Sequence, residues 1–504
     1  MYFDEGLRRS ATFWVRVVPM YAHYKVVEWQ TKGRPDQEIE EAFGVLHRRY
    51  SPEVERLTLK LRGFYLKQAQ MMGTIDYFVP KEYLEWCKKM QDEVPSTFLP
   101  GEARRMVEEA IGKPIEEVFS YWNDMPRGVA SIGEVHHAIL KDGREVAIKI
   151  QFPNIERKFR SDLNTIRAFC KLAMPHHVPP LNEIEKQFLT EFDYIGEAKN
   201  LEEIHNNIMP TWKHLVAIPR PVMELCSKNV LVMEYIHGVR LIDGIRDSYR
   251  KVAEQRGTTL EVLEEQQKQK IRRGELNSVS HEKWKIRFAR VGLRCQDLLK
   301  NYFRLLYNLS FGLFTQKKPY QWSELPVNLA EIIELLHNVH AHQIFYDGCF
   351  NGDPHPGNIL LMHDGRLGLI DYGQVKKIPL ESRINYAKLI CAMAKDDKEK
   401  IVDIFVNQMG MRGKHNYPET AYRIACFWND RTTEDIMQGL NIPSFLDWIQ
   451  AQDPIDKIND DYVMVARVSV LLRGMGNAFG LHLRTSTYWK EYAEKLLKQH
   501  HIQI

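Results

Sequence analysis

The chain has 504 residues, of which 44% are hydrophobic and 27% charged, a composition that predicts a globular protein with a sizeable buried core. Its 69 basic and 66 acidic side chains leave a net charge of +3, which excludes polybasic nucleic-acid binders and acidic tail proteins as classes. The seven cysteines are odd in number and none has Cys-x-x-Cys spacing, so neither a disulfide framework nor a four-cysteine zinc site is expected.

The first 120 residues are predicted to be helical, because apolar residues recur at three- and four-residue spacing. No apolar run reaches the roughly 20 residues that span a bilayer. The N-terminal basic residues faintly resemble a mitochondrial presequence, but Asp4 and Glu5 are unusual in one. A basic amphipathic helix is the alternative, and a membrane-surface contact by residues 11–24 is a further expectation.

The central part of the chain changes to a β-rich pattern. Lys141-Asp142-Gly143 lies between two runs of strand character, 132–140 and 144–151, which predicts a hairpin. Two helices are expected next, at about 154–173 and 182–206, followed by a strand at 230–236.

Residues 246–325 are polar and of mixed charge, and they predict an inserted helical excursion, with a long loop as the alternative. The basic cluster formed by Lys268, Lys270, Arg272 and Arg273 lacks interleaved aromatic residues, so no nucleic-acid contact is expected there. A helix at 329–342 and a second Asp-Gly hairpin, 359–362 with 367–370, come before a mostly helical C-terminal region.

The strongest chemical signal is a set of three polar residues around the second hairpin. Asn358 follows Asp353 by five residues, and Asp371 follows Asp353 by 18 residues, with the hairpin in between. Kinase-type phosphoryl transfer uses a carboxylate at the attacking hydroxyl and oxygen ligands for Mg²⁺. Asp353 therefore fits a catalytic base, and Asn358 and Asp371 fit metal ligands. The alternative is two ordinary turns, since Asp-Pro and Asp-Gly are common turn formers.

Lys149 ends the strand sequence Val-Ala-Ile-Lys and fits a lysine that binds nucleotide phosphates. The helix at 182–206 offers Glu191, Asp193 and Glu197 as acidic partners, and Asp193 and Glu197 share one helical face at four-residue spacing. The alternative for Lys149 is a lysine that only protects a strand edge from aggregation. The alternative for the three acidic residues is a helix face exposed to solvent.

The segment 128–133, predicted to be the turn before the first strand, is rich in small residues. Ala130 and Ser131 would let the backbone approach nucleotide phosphates closely. Two histidine groups suggest metal sites but are expected to serve structural roles. They are His337, His340 and His342 on one helix, and His355 with His363.

In combination these residues resemble the UbiB/aarF-domain-containing atypical kinases, and the mitochondrial members most closely. Four segments carry the resemblance in the order that the family has. They are 66–70 with 91–95, 129–151, 191–198, and 353–373.

The resemblance implies an α+β, protein-kinase-like bilobal fold with a small β-rich N-lobe and a helical C-lobe. The implied division is a helical N-terminal extension at 1–120, the N-lobe at 121–245, a charged helical insertion at 246–325, and the C-lobe with C-terminal helices at 326–504.

By the same resemblance, Glu197 would pair with Lys149. Lys67 and Gln70 would contact Glu191 and Asp193 as a regulatory segment.

The family also implies ATP or ADP as ligand, Mg²⁺ as cofactor, and a role in ubiquinone or other isoprenoid-lipid homeostasis in mitochondria or plastids. An isoprenoid lipid or membrane surface and protein partners in an organelle complex are further expectations. Nucleic acid is not an expected partner.

The chain departs from the family pattern at three places. Ala69 replaces the glycine of the Lys-x-Gly-Gln segment, and Gly128 and Val129 stand where alanines are usual. Glu134 replaces the usual glutamine and adds a charge near the small-residue loop. The preference between ATP and ADP is therefore not carried over.

Three functions fit these residues. The first is an active atypical kinase or ATPase, since Lys149, Glu197, Asp353, Asn358 and Asp371 all have the required chemistry. The second is a small-molecule phosphotransferase of the aminoglycoside or choline kinase type. The third is a non-catalytic, nucleotide-gated scaffold or lipid-binding regulator, because binding and catalysis use the same side chains.

Overall fold

The computed structural model describes residues 2–73, 79–92, 96, 98–173, 181, 185, 188–255, 257–273, 277–310, 315–323 and 325–502. The chain forms two compact units. Unit 1 comprises residues 1–202 and 220–235, and unit 2 comprises residues 203–219 and 236–504. The four-part division expected from the sequence stays a prediction.

Unit 1 begins with a set of helices and continues with a helix after the first hairpin. They are α1 (Tyr2–Thr31), α2 (Asp36–Leu61), α3 (Gly63–Met72), α4 (Lys81–Asp92), α5 (Glu102–Ile111), α6 (Ile115–Val118) and α7 (Ile155–Ala173). The helix α8 (Tyr194–Trp212) begins in unit 1 and ends in unit 2. Phe13 of α1 is buried with Phe64 and Phe159 in one apolar cluster, which explains why the N-terminal segment is helical and packed.

The sheet of unit 1 is antiparallel. Its strands are β1 (Phe119–Trp122), β2 (Gly128–Val129), β3 (Gly133–Leu140), β4 (Glu145–Gln151) and β6 (Val230–Glu234), and β5 (Val216–Ala217) belongs to unit 2. The strand order is β1-β3-β4-β6, with β2 paired to β3. Gly143 closes the β3–β4 hairpin at φ 89°, a left-handed conformation that favours glycine.

The prediction that 128–133 precedes the first strand is wrong. β1 lies upstream, and Gly128 and Val129 themselves pair with Val135 and Glu134. The short β2 was missed because two residues carry no period-two pattern to read.

The predicted helix at 182–206 is also wrong in its extent. Residues 182–184, 186 and 187 lie outside the described residues, and a 3₁₀ turn, Thr190–Phe192, precedes α8. Asp193 separates the two elements, and its Oδ1 accepts a hydrogen bond of 3.0 Å from the Gly196 N–H at the start of α8. A short acidic side chain at this point satisfies the free amides of a helix start, so Asp193 ends one element and begins another.

Unit 2 is mainly helical. Its further helices are α9 (Leu241–Gln255), α10 (Leu260–Arg272), α11 (Val279–Leu309), α12 (Leu329–Ala341), α13 (Leu380–Ala394), α14 (Lys398–Asp403), α15 (Pro418–Asn429), α16 (Glu434–Met437), α17 (Ile442–Gln452), α18 (Asp460–Ala478) and α19 (Thr485–Gln499). Its further strands are β7 (Val239–Arg240), β8 (Asn277–Ser278), β9 (Cys349–Asn351), β10 (Ile359–Leu361), β11 (Leu367–Leu369), β12 (Val375–Lys377), β13 (Arg412–Gly413), β14 (Ile455–Lys457) and β15 (Leu481–His482).

The segment 246–325 contains most of α9 and all of α10 and α11, so it is largely helical, as the first of the two sequence alternatives predicts. The second hairpin is present as β10 and β11, with Gly365 at φ 87° in its turn. Helices with small, mostly antiparallel sheets confirm the predicted α+β class. Among the described residues, no helix has the length and apolar character that crossing a membrane requires.

Candidate active site

The loop that follows β9 in unit 2 carries Asp353. The Asp353 N–H donates a 3.0 Å hydrogen bond to Asn351 Oδ1, and its carboxylate side chain is 28% exposed. The loop then turns through a 3₁₀ segment, Pro356–Asn358, into β10. His355 Nδ1 accepts a 3.1 Å hydrogen bond from the Gly357 N–H, so this histidine shapes the turn that presents Asn358.

The β10–β11 hairpin brings Asn358 and Asp371 to neighbouring strand ends. Ile359 pairs with Leu369, and the Ile370 N–H donates a 3.2 Å hydrogen bond to the Asn358 carbonyl. Asp371 Oδ1 accepts a 3.1 Å hydrogen bond from the Gly373 N–H. An amide and a carboxylate oxygen are hard ligands of the kind Mg²⁺ uses, and they fit the expected metal.

Asn351 connects the two halves of this constellation and was missed from the sequence. Besides accepting from Asp353, it donates from Nδ2 to the Asp371 carbonyl oxygen at 2.8 Å. Its own N–H donates to Gln343 Oε1 at 3.1 Å. Asn351 is 8% exposed, so it is a fixed internal bridge between the loop of the predicted base and the segment of a predicted metal ligand.

Arg467 of α18 is a second residue that the sequence did not indicate. Its Nη2 lies 3.5 Å from Asp353 Oδ1, and its Nη1 donates to Gln374 Oε1 at 2.6 Å. The guanidinium places a permanent positive charge beside the predicted base.

The α12 histidines belong to the interior of unit 2. The Nδ1–H of His337 and of His340 donates to the carbonyl four residues earlier, at 2.9 Å and 2.8 Å. Their Nε2 atoms are buried without a hydrogen-bond partner among the described residues, so these histidines are only half satisfied. Burial lowers the pKa of both to about 4, so both rings are neutral at pH 7.

The lysine of unit 1 has a close acidic partner. Lys149 Nζ lies 2.6 Å from Glu197 Oε1, and their side chains are 18% and 5% exposed. The ammonium also lies 5.3 Å from the centre of the Tyr194 ring, a cation–π contact. Ile148 and Ile150 on either side are fully buried, which fixes the strand that presents Lys149.

Lys67 of α3 contacts Glu191, with Nζ–Oε distances of 3.0 Å and 2.9 Å. Gln70 Nε2 donates to the Met90 carbonyl at 2.9 Å. Asp193 is exposed at the start of α8, in the capping role described above. Of the neighbouring Asp-Glu-Val-Pro segment, residues 93–95 lie outside the described residues.

The small-residue loop of unit 1 is a tight turn. The Ala130 N–H donates to the Gly133 carbonyl at 2.7 Å, and Ser131 is only 4% exposed. A Cβ on Gly133 would stand 2.2 Å from the Ile150 carbonyl oxygen, which explains the glycine at this position. Glu134 is buried and contacts His136 Nε2 at 2.6 Å, so its carboxyl group is hydrogen-bonded inside the sheet.

A family model described as the ABC1 atypical kinase-like domain matches residues 89–270 and 317–405, more than half of the chain. It leaves out 271–316, a stretch that contains the whole of α11.

Curated relatives align along most of the chain. AarF domain-containing protein kinase 1 of Xenopus tropicalis is 23% identical over 478 residues, covering 90% of this chain and 75% of the relative. The Arabidopsis thaliana protein ACTIVITY OF BC1 COMPLEX KINASE 1, chloroplastic, is 26% identical over 343 residues, covering 66% of this chain and 38% of the relative. A Mycobacterium tuberculosis protein solved in complex with erythromycin is 20% identical, with a TM-score of 0.47 over 91% of this chain and 98% of that one.

Proposed function

The chain belongs to the ABC1 atypical kinase-like family, and from that premise we propose that it binds a magnesium nucleotide and transfers or hydrolyses its terminal phosphoryl group. The proposal rests on how Asp353, Asn358 and Asp371 are held together. The β10–β11 hairpin connects Asn358 with Asp371, and Asn351 forms hydrogen bonds to the backbone of both Asp353 and Asp371. These residues form one hydrogen-bonded group in unit 2, and their chemistry is that of phosphoryl transfer.

In the proposed reaction Asp353 accepts the proton of the attacking hydroxyl or water. Asn358 and Asp371 would hold Mg²⁺, which neutralises phosphate charge when it is bound with the nucleotide. Arg467 lies beside Asp353 and would orient its carboxylate.

In unit 1, Lys149 is the proposed phosphate-binding lysine, and Glu197 holds its ammonium in place. Ala130 and Ser131 are proposed to approach nucleotide phosphates through the backbone. Ala130 is exposed, which favours a backbone contact there, whereas the buried Ser131 would contribute through its position in the turn.

The Lys67–Glu191 pair is proposed to be regulatory, with Gln70 and Asp193 completing the segment. Lys67 and Glu191 are 23% and 13% exposed, so the ion pair is partly shielded from water and helps to hold α3 in place.

The cellular role is proposed to lie in ubiquinone or other isoprenoid-lipid homeostasis, in mitochondria or, as the alternative, in plastids. Kinship with a relative named for the activity of the bc1 complex and called chloroplastic supports this assignment. ATP and ADP both remain candidate nucleotides, and the phosphate acceptor is unassigned.

Phosphate release from magnesium ATP tests the proposal, with Asp353→Asn compared against Asp364→Asn. Asp364 lies in the turn of the same hairpin and is 50% exposed, so its variant controls for a change of charge. We expect Asp353→Asn to lower kcat by at least about a hundredfold, as loss of a general base does, and Asp364→Asn to leave it unchanged.

One result would contradict catalysis, and another would assign the transfer to a different class of acceptor. Nucleotide binding with no phosphate release by the parent chain, with or without candidate acceptors, would favour the scaffold. ADP formation that requires choline or an aminoglycoside would favour the small-molecule phosphotransferase.

A further inference from the structure

The helix α11 of unit 2 has an exposed apolar face. Two interleaved heptad series run along it, Trp284, Val291 and Leu298 in one and Phe288, Cys295 and Tyr302 in the other. Their apolar members other than the cysteine are between 50% and 71% exposed, and Cys295 is exposed as well. The first series continues to Leu305, which is 39% exposed, and the second to Leu309, which is 64% exposed. From Trp284 to Leu309 the apolar face is therefore about 38 Å long at 1.5 Å per residue.

The opposite face of α11 carries buried polar side chains beside the half-buried Ile286 and Leu293, and it is this face that packs on the rest of unit 2. Asp297 is 2% exposed and accepts 2.7 Å hydrogen bonds from the Ser323 N–H and hydroxyl. Asn301 is 6% exposed and exchanges hydrogen bonds with the Gln321 backbone. Arg290 donates to Glu331 Oε2 of α12 at 3.1 Å.

The helix therefore presents its larger apolar surface outward, whereas an ordinary surface helix turns that surface towards the core. Monomeric proteins rarely leave an apolar surface of this length exposed to water. Its exposure here therefore indicates a site of interaction with another molecule or a membrane. The adjoining segment 315–323 adds Tyr320 and Trp322, each more than half exposed, to the same part of unit 2.

The charges on α11 restrict what can cover this face. The helix carries seven Lys and Arg against Glu282 and Asp297, and Asp297 is buried. The exposed cations are Lys285, Arg287, Arg294 and Lys300. Lys285 and Arg287 also contact Glu282 and Glu331, but those pairs leave the helix with a net positive charge.

A second copy of the chain is a poor match for this face. If two α11 helices paired through their heptads, the positions flanking the seam would be Lys285, Arg287 and Arg294, with no acidic residue to meet them. Cations of the two copies would then repel. Helices that lie in a bilayer interface, in contrast, typically have exposed aromatic rings between basic residues, as α11 does.

We propose that α11 lies on the surface of an anionic phospholipid bilayer, with Phe288 and its heptad neighbours among the lipid chains and the basic residues at the headgroups. The proposal is independent of nucleotide binding. It also differs in place from the membrane contact expected at residues 11–24, where Phe13 and Met20 are buried.

Vesicle flotation of the full chain tests the proposal. One set of vesicles is phosphatidylcholine alone, and the other contains about 30 mol% phosphatidylglycerol, which supplies the anionic charge. The variant Phe288→Ser/Tyr302→Ser removes two rings of the second heptad series that are 71% and 56% exposed, so it should fold normally. The matched control, Val15→Ser/Trp29→Ser, removes apolar groups of α1 that are 70% and 76% exposed.

We expect binding to the anionic vesicles alone, weakened by raising the salt concentration to about 0.5 M. The α11 variant should bind at least about tenfold more weakly, and the α1 control should bind like the parent chain. Equal binding to neutral vesicles, or loss of binding in the α1 control only, would overturn the proposal. So would a concentration-dependent dimer that the α11 variant abolishes, without vesicle binding, since the occupant would then be a second copy.

Discussion

Asn351 gives the sharpest test of how unit 2 holds its proposed catalytic groups. Replacing it with alanine removes the acceptor for the Asp353 N–H at 3.0 Å and the donor to the Asp371 carbonyl at 2.8 Å. Both groups would then depend on water for their hydrogen bonds. The loop of the predicted base and the segment of the predicted metal ligand would lose their direct connection.

The size of the effect follows from the two lost hydrogen bonds. A hydrogen bond contributes about 1 kcal/mol net, and a buried group left without a partner costs about 1–3 kcal/mol. Because the Asp353 side chain is 28% exposed, water can reach part of the site, and the lower end of the range applies. We expect Asn351→Ala to lower the free energy of unfolding of unit 2 by about 2–3 kcal/mol.

Urea unfolding measures that loss, and steady-state phosphate release measures its effect on the site. The control is Asn407→Ala, which removes an exposed asparagine that donates to Asp403 in the same unit, and it should change stability by less than about 0.5 kcal/mol. We expect kcat of Asn351→Ala to fall at least about tenfold, because the base is no longer held in place. Parent-like stability together with parent-like kcat would refute the positioning role of Asn351.

Three further predictions concern other parts of the molecule. Glu197→Gln removes the carboxylate 2.6 Å from Lys149, and nucleotide affinity should fall about tenfold in calorimetry; unchanged affinity would refute the role of Glu197 in positioning Lys149. Gly133→Ala would place a Cβ against the Ile150 carbonyl oxygen and should cost about 1–3 kcal/mol in urea unfolding, whereas Gly352→Ala, whose Cβ would meet only the mobile methyl of Met464 at closest approach, should cost less than about 1 kcal/mol. His337 has a folded pKa of about 4, lowered by burial and by nearby His340 and Arg473, against about 6.5 when unfolded. The unfolded chain therefore binds the extra proton first, so this ring alone lowers stability by about 2 kcal/mol as the pH drops from about 6.5 to 5. His337→Leu should reduce the fall in stability by that amount, while the equal contribution of His340 remains.

Local patterns predicted the elements that local chemistry determines. Both Asp-Gly hairpins are present, and the glycine of each turn has a positive φ. A few consecutive residues were enough to predict each hairpin, because the turn depends on that glycine. The spacing of Asp353, Asn358 and Asp371 likewise located the proposed site, because the hairpin between them fixes where the two metal ligands lie.

The residues that sequence reasoning missed act over long separations or through details of capping. Arg467 reaches Asp353 only because α18 packs beside the loop, and no spacing in the sequence signals that contact. Asp193 has helical spacing to Glu197, yet its short side chain caps α8 and ends the preceding turn. For α11, the composition indicated a charged helix, but only the packing of Asp297 and Asn301 reveals that the polar face is the buried one.

The central claim is that the hairpin of unit 2 binds a magnesium nucleotide, and thermal unfolding tests it most directly. The parent chain, Asp371→Asn and the control Asp364→Asn would each be heated with Mg²⁺ and ATP or ADP. A ligand at a hundredfold excess over Kd stabilises the folded state by about 2.7 kcal/mol. We predict a magnesium-dependent rise in Tm for the parent and the control that is lost in Asp371→Asn. No rise with either nucleotide in well-folded parent chain, or an equal rise in Asp371→Asn, would contradict the account.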